Sequence, residues 1–111
     1  MADSQISNTD TIKTSFPGNQ LLLISPDPQT IYRISPRLPA DEQRIVVEAQ
    51  PGAQLTKVTL LADGLSLATL TRPPYRALWT LTPGEHSFRA VGRDASGEIS
   101  ESEIVVITVL K

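Results

Sequence analysis

A chain of 111 residues with 40% hydrophobic and 20% charged residues has an ordinary globular composition, with room for one domain and a tail, since domains typically occupy about 100 to 150 residues. A formal net charge of -2 gives no electrostatic reason to approach nucleic acid, whose binders carry a basic stripe. The lack of cysteine excludes disulfides, thiol nucleophiles and thiolate metal sites, and no stretch approaches the ~20 apolar residues of a membrane-spanning helix, so no membrane insertion is expected of this segment.

Residues 1–19 are dominated by Ser, Thr, Asn, Asp and Gln, with Ile6, Ile12 and Phe16 too sparse to build a periodic face. Such a segment cannot offset its ordering entropy and reads as a flexible polar linker. It has no cationic region followed by an apolar one, as a secretory leader would. The chain is therefore expected to be a piece of a longer one, with the ordered domain occupying residues 20–111.

Pro17-Gly18-Asn19 punctuates the change to that domain. Leu21 to Ile24 begins a strand, which Ser25-Pro26-Asp27-Pro28 interrupts because proline removes ladder donors. Ile31 to Ile34 resumes as a short edge strand before Pro36 and Pro39. Arg44 to Ala49 alternates, with Ile45, Val47 and Ala49 assigned to the core. After the turn at Pro51-Gly52-Ala53, Lys57 to Ala62 places Val58, Leu60 and Ala62 inward. Asp63-Gly64 is a tight-hairpin signal, since both residues tolerate positive φ, and Leu65 to Leu70 returns antiparallel. Arg72-Pro73-Pro74 forces an extended, unpaired crossing of the kind found where a chain passes between sheets.

Tyr75, Ala77, Trp79 and Leu81 then fall on one face at period two, and His86, Phe88, Ala90 and Gly92 repeat that register after Pro83-Gly84, which predicts an antiparallel hairpin. Asp94-Ala95-Ser96-Gly97 leads to a closing strand from Ile104 to Leu110 that is apolar on both faces, with Val105, Ile107 and Val109 as its inward set. About seven short strands, turn signals at intervals near ten residues and no helical periodicity predict an all-β fold, an immunoglobulin-like antiparallel β-sandwich.

Chemistry is hard to assemble from these residues. His86 is the only histidine, so it has no imidazole partner for a metal site, and no motif sets a serine or carboxylate beside it. Asp94 with Ser96 and Gly97 lacks the dense ligand series of a calcium loop and reads as an Asp bonding its own backbone amides. Glu98, Glu101 and Glu103 read as a solvated face rather than as paired catalytic carboxylates. Trp79 lies in register with core positions and reads as a packing anchor rather than a sugar platform. No catalytic residue, cofactor or metal is expected.

Several sequence features carry a resemblance: Ile24-Ser25-Pro26, Ile45-Val46-Val47, the hairpin pattern from Val58 to Gly64, Pro73-Pro74-Tyr75, the run from Trp79 to Phe88, and Asp94 to Gly97. In their order and spacing they resemble the C-terminal domain of bifunctional penicillin-binding proteins of the 1C type, from about Leu21 to Leu110. The resemblance implies a non-catalytic accessory module on an enzyme that polymerises and crosslinks peptidoglycan in the cell envelope, outside the cytoplasmic membrane. The family's transpeptidase and glycosyltransferase residues lie in upstream domains and are not carried over. Implied partners are those upstream catalytic domains or another envelope protein, with peptidoglycan itself a further candidate. Contact is expected at the Pro-rich edge, Pro73 and Pro74, and at Ile104 and Val106, the outward residues of the doubly apolar last strand. The alternative reading is a carbohydrate- or cell-wall-binding module, or a spacer, from a surface hydrolase or adhesin.

Overall fold

The computed structural model describes residues 21–52 and 54–111; the predicted linker, residues 1–19, lies outside them. Period-two alternation is realised in nine strands among the described residues: β1 Leu21–Ser25, β2 Ile31–Arg33, β3 Arg44–Pro51, β4 Lys57–Ala62, β5 Leu65–Leu70, β6 Tyr75–Thr80, β7 Gly84–Arg93, β8 Ile99–Glu101 and β9 Val105–Leu110. Among the described residues a 3-10 turn, Ala40–Glu42, follows Pro39. The strands form two sheets. One has three strands in the order β1-β3-β6, and the larger runs β2-β9-β7-β4-β5, with β8 also paired to β7.

The pairs are antiparallel as expected except β2 with β9, which is parallel, and the two sheets stack through their apolar faces, as a sandwich must to bury one side of each strand. Val47 and Ala49 of β3 and Tyr75 of β6 meet Val58, Leu60 and Ala62 of β4, Phe88 and Ala90 of β7, and Val105, Ile107 and Val109 of β9. These are the inward sets expected from the alternation. Phe88, Leu60, Ile107, Val47, Val58 and Val109 are fully buried, each contributing about 1.5–3 kcal/mol of transfer free energy. Gly92 belongs to this core for a steric reason: a Cβ there would come within 2.5 Å of Leu55 Cδ1.

The expected hairpin from Tyr75 to Gly92 is corrected by the sheet topology. β6 pairs with β3, Tyr75 opposite Ala49 and Trp79 opposite Ile45, whereas β7 pairs with β4 and β9. The Thr82-Pro83-Gly84 connection therefore carries the chain across the core, and the two strands face each other from opposite sheets. Trp79 meets Phe88 edge to face, ring centroids 5.1 Å apart. The Asp63-Gly64 hairpin is present as expected, with φ of 53° and 81° joining β4 to β5, and the Arg72-Pro73-Pro74 segment does pass from the large sheet to the small one.

β8 is not among the strands expected from the alternation. It pairs antiparallel with β7, Ile99 opposite Arg93 and Glu101 opposite Val91, and β9 continues along the same side of β7. Ser102 bridges the break between them: its amide donates to the Ala90 carbonyl at 2.9 Å, and its hydroxyl oxygen accepts the Ala90 amide at 2.8 Å. A buried N–H that the interrupted ladder would orphan is thus satisfied by a side chain.

Candidate functional site

The densest polar cluster is built where the β4–β5 turn meets the entrance of β7. Asp63 sits in the left-handed conformation that the tight turn demands, one that Asp tolerates better than most residues. Its Oδ1 accepts the Ser87 amide at 2.9 Å, and its Oδ2 lies 2.7 Å from His86 Nδ1. His86 Nε2 lies 2.8 Å from the Thr82 carbonyl oxygen and 3.1 Å from the Thr82 hydroxyl. The imidazole stacks edge-on against Trp79, centroids 4.7 Å apart. A carboxylate therefore does stand beside His86. The sequence reading missed it because the two residues are 23 positions apart and meet only when β4 and β7 pair.

In outline, Asp63, His86 and Thr82 have the order of an acid–base–nucleophile triad, but the protons are in the wrong places. A carboxylate and a carbonyl can only accept, so this geometry favours the protonated ring, in which Nδ1 and Nε2 both donate. Burial disfavours that charge, yet the Asp63 carboxylate and the Thr82 carbonyl outweigh it and hold His86 above its ordinary value of 6.5. Burial likewise opposes the Asp63 charge, but the hydrogen bonds from His86 and the Ser87 amide, with the His86 charge, bring Asp63 below its ordinary 3.8. A general base needs a free lone pair aimed at the nucleophile's proton. In the protonated ring Nε2 donates toward the Thr82 carbonyl and has no lone pair for the Thr82 hydroxyl, and the cluster joins the β4–β5 turn and the β6–β7 connection to β7.

Asp94 organises the β7–β8 loop. Its Oδ1 accepts the Ser96 amide at 2.9 Å, the Ser96 hydroxyl at 2.6 Å and the Glu98 amide at 3.0 Å. The Ser96 and Glu98 donors hold its carboxyl below the usual carboxylate range. An oxygen accepting three donors is acting as a turn brace, in keeping with the self-bonding Asp read from the sequence. Among the described residues, no group of three His, Asp or Glu side chains is placed to hold a metal ion. Glu98, Glu101 and Glu103 are exposed, and Glu101 pairs with Arg89 at 2.9 Å. Of the aromatics, Tyr75 and Phe88 are buried, and Tyr32 and Trp79 pack against the core; Phe16 lies outside the described residues.

The four expected contact residues fall into two places. Pro73 and Pro74 are exposed on the β5–β6 crossing and border a cleft of about 270 Å³ with Ile24, Glu48, Gln50 and Tyr75, at one end of the small sheet. Ile104 precedes β9 rather than lying in it and is 62% exposed, bordering a cleft of about 300 Å³ with Leu61, Gly64, Phe88 and Arg89 on the large sheet. Val106 is half-buried opposite Ser87, and its carbonyl accepts the Gln29 amide at 2.7 Å.

A different apolar surface went unread in the sequence. Leu22 and Ile24 of β1, Val46 of β3 and Leu78 of β6 all point away from the core across the small sheet, Val46 directly opposite Leu78. The available signal was the apolar runs Leu21–Ile24 and Ile45–Val47, too continuous for strands buried on one face only.

No helix among the described residues is long and apolar enough to cross a membrane. The fold is similar to that in solved structures of the Clostridium thermocellum CbhA fibronectin(III)-like modules, with a TM-score of 0.70 at 20% identity over 82% of this chain and 96% of that one. No curated protein matches the chain. The family model described as the Penicillin-Binding Protein C-terminus Family matches residues 13–106, a span that runs from the polar lead through β8 to the first residues of β9. The chain belongs to that family, whose parent proteins are associated with the cell envelope.

Proposed function

We propose that this chain is a non-catalytic accessory module at the C-terminal end of a bifunctional penicillin-binding protein, serving peptidoglycan synthesis on the outer side of the cytoplasmic membrane. The family match across residues 13–106 carries this reading. The chemistry of the polar clusters supports it, since both His86 nitrogens are engaged by Asp63 and Thr82 and one Asp94 oxygen accepts three donors from its own loop. The module's work is then contact: with the upstream catalytic domains of its parent, or with another envelope protein. The exposed Pro73 and Pro74, beside Ile24, support a contact at that end of the small sheet, and Ile104 on the large sheet is the competing position.

The test is deletion of residues 21–111 from the parent protein, with glycan polymerisation and peptide crosslinking assayed separately. Retained intrinsic turnover on a soluble lipid-linked precursor, with altered coupling of the two reactions or loss of an envelope partner, is the expected result. Abolition of an activity that returns when the isolated chain alone is supplied with substrate would show that the module itself is catalytic. The likeness to a fibronectin(III)-like module keeps a spacer role as the second reading. A spacer would be replaceable by an unrelated sandwich of similar length with both activities and all partners unchanged.

A further inference from the structure

The outer face of the small sheet combines three observations. Leu22, Ile24, Val46 and Leu78 are 38–52% exposed, although a sandwich needs no apolar side chain there. They share one face of the sheet, Val46 directly opposite Leu78 and Leu22 opposite Gln50, with Ile24 bordering the same cleft as Glu48, Gln50 and Pro74. Two of the four sit on β1, an edge strand that begins at Leu21, where the preceding chain enters the domain.

We propose that this face, Leu22, Ile24, Val46 and Leu78, is the seat of the domain that precedes the module in its own parent chain; the inference rests on the function proposed above. The size of the patch argues for a tethered occupant. Four side chains exposed to this degree present on the order of 300 Å² of apolar surface, whereas a stable association of separate chains needs roughly 800 Å² per partner. A neighbour on the same chain needs far less, since a short tether supplies an effective concentration in the mM range. The position argues for the same occupant. A module described as a C-terminus has the rest of its parent on the N-terminal side. The chain before Leu21 joins the strand that carries half the patch. Arg44, Glu48 and Arg76 lie among the aliphatic side chains on the same face, Glu48 opposite Arg76, and give a partner polar groups with which to fix its register.

Hydroxyl-radical footprinting of the full-length parent against the isolated 111-residue chain tests the proposal. Oxidation of Leu22, Ile24, Val46 and Leu78 should fall several-fold in the parent, while Leu65, 73% exposed on the edge strand of the other sheet, stays unchanged. Leu78→Lys in the parent should restore Leu22 and Ile24 to the labelling of the isolated chain. Unchanged labelling of the four residues would overturn the proposal. If Ile104 and Val106 were protected instead, docking would stand and only this face would fall; if no residue were protected, docking to the parent would fall with it. Two further results would overturn the choice of occupant. One is a concentration-dependent dimer of the isolated chain in sedimentation that Leu78→Lys abolishes. The other is a rise in labelling of the four residues when residues 1–20 are deleted from the isolated chain.

Discussion

The two sheets bury similar inner faces and differ in how their outer ones are made up. On the large sheet the outward residues include Thr59 and Thr69, whose hydroxyls meet at 3.4 Å, Ser87, Thr108, and the ion-paired Arg89 and Glu101. Leu61, Val91 and Val106 point the same way but are half-buried among them. On the small sheet the outward row is Leu22, Ile24, Val46 and Leu78, all exposed. The inner faces answer to folding, because burying one side of each strand is what makes a sandwich stable. The outer faces are under no such demand; the large sheet exposes Ile31, Ile99 and Leu110 as well, and what sets the small sheet apart is that its aliphatic residues come from all three of its strands, which points to contact rather than cohesion.

The sharpest way to draw this line between cohesion and contact is to remove a side chain from the inner side. Phe88 is 1% exposed, between the sheets and against Trp79, and Phe88→Ala should cost about 3–5 kcal/mol in urea unfolding. A loss below about 1 kcal/mol would mean that the sheets are not packed through it. Asp63 tests the seam between strands. Asp63→Ala forces alanine into the left-handed region, at about 1–2 kcal/mol, and leaves the Ser87 amide without its acceptor, at about 1 kcal/mol more. Asp63→Asn keeps the tolerated backbone and an acceptor, so it should lose clearly less. Equal losses for the two variants would show that charge rather than turn geometry governs the site.

A smaller effect follows from the same pair through pH. The folded His86 titrates above its unfolded value of 6.5, so its contribution is complete below pH 6.5 and is lost as pH rises through the folded value. The folded Asp63 titrates below its unfolded 3.8, so its contribution is present above that value and is lost as pH falls through the folded one. Stability from the pair should therefore plateau between about pH 4 and 6.5 and decline on both sides. The effect stays modest because the Asp63 side chain is 44% exposed and solvent weakens such pairs. His86→Gln should flatten the alkaline decline in the unfolding free energy. A wild-type profile still rising between pH 6.5 and 8 would contradict the assignment of both ring nitrogens as donors.

Most inward residues were legible before the structure because period-two alternation is a local property. Val58, Leu60 and Ala62 were readable from β4 alone, as were Val105, Ile107 and Val109 from β9, and Asp63-Gly64 announced its turn through residue type. Which strand lies beside which is not local. Tyr75–Leu81 and His86–Gly92 alternate in the same way whether they pair edge to edge or face each other across a core, and a Pro-Gly connection serves both arrangements. β8 was missed because three residues, Ile99, Ser100 and Glu101, are too few to establish a period. The Asp63–His86 contact needed the β4–β7 register. The apolar outer row needed three strands of the small sheet side by side, which is why the sequence pointed to the single run around Ile104 and Val106 instead.

The separation of cohesion from contact is tested most directly by Val46→Thr and Leu78→Thr together in the isolated chain, measured as the free energy of urea unfolding. Threonine keeps the strand preference while replacing a methyl of Val46 with a hydroxyl and removing most of the Leu78 isobutyl group, so the double variant should unfold within about 1 kcal/mol of the original chain. A loss of about 3 kcal/mol or more, comparable to emptying the Phe88 site, would contradict the account by making the outer row part of what holds the two sheets together.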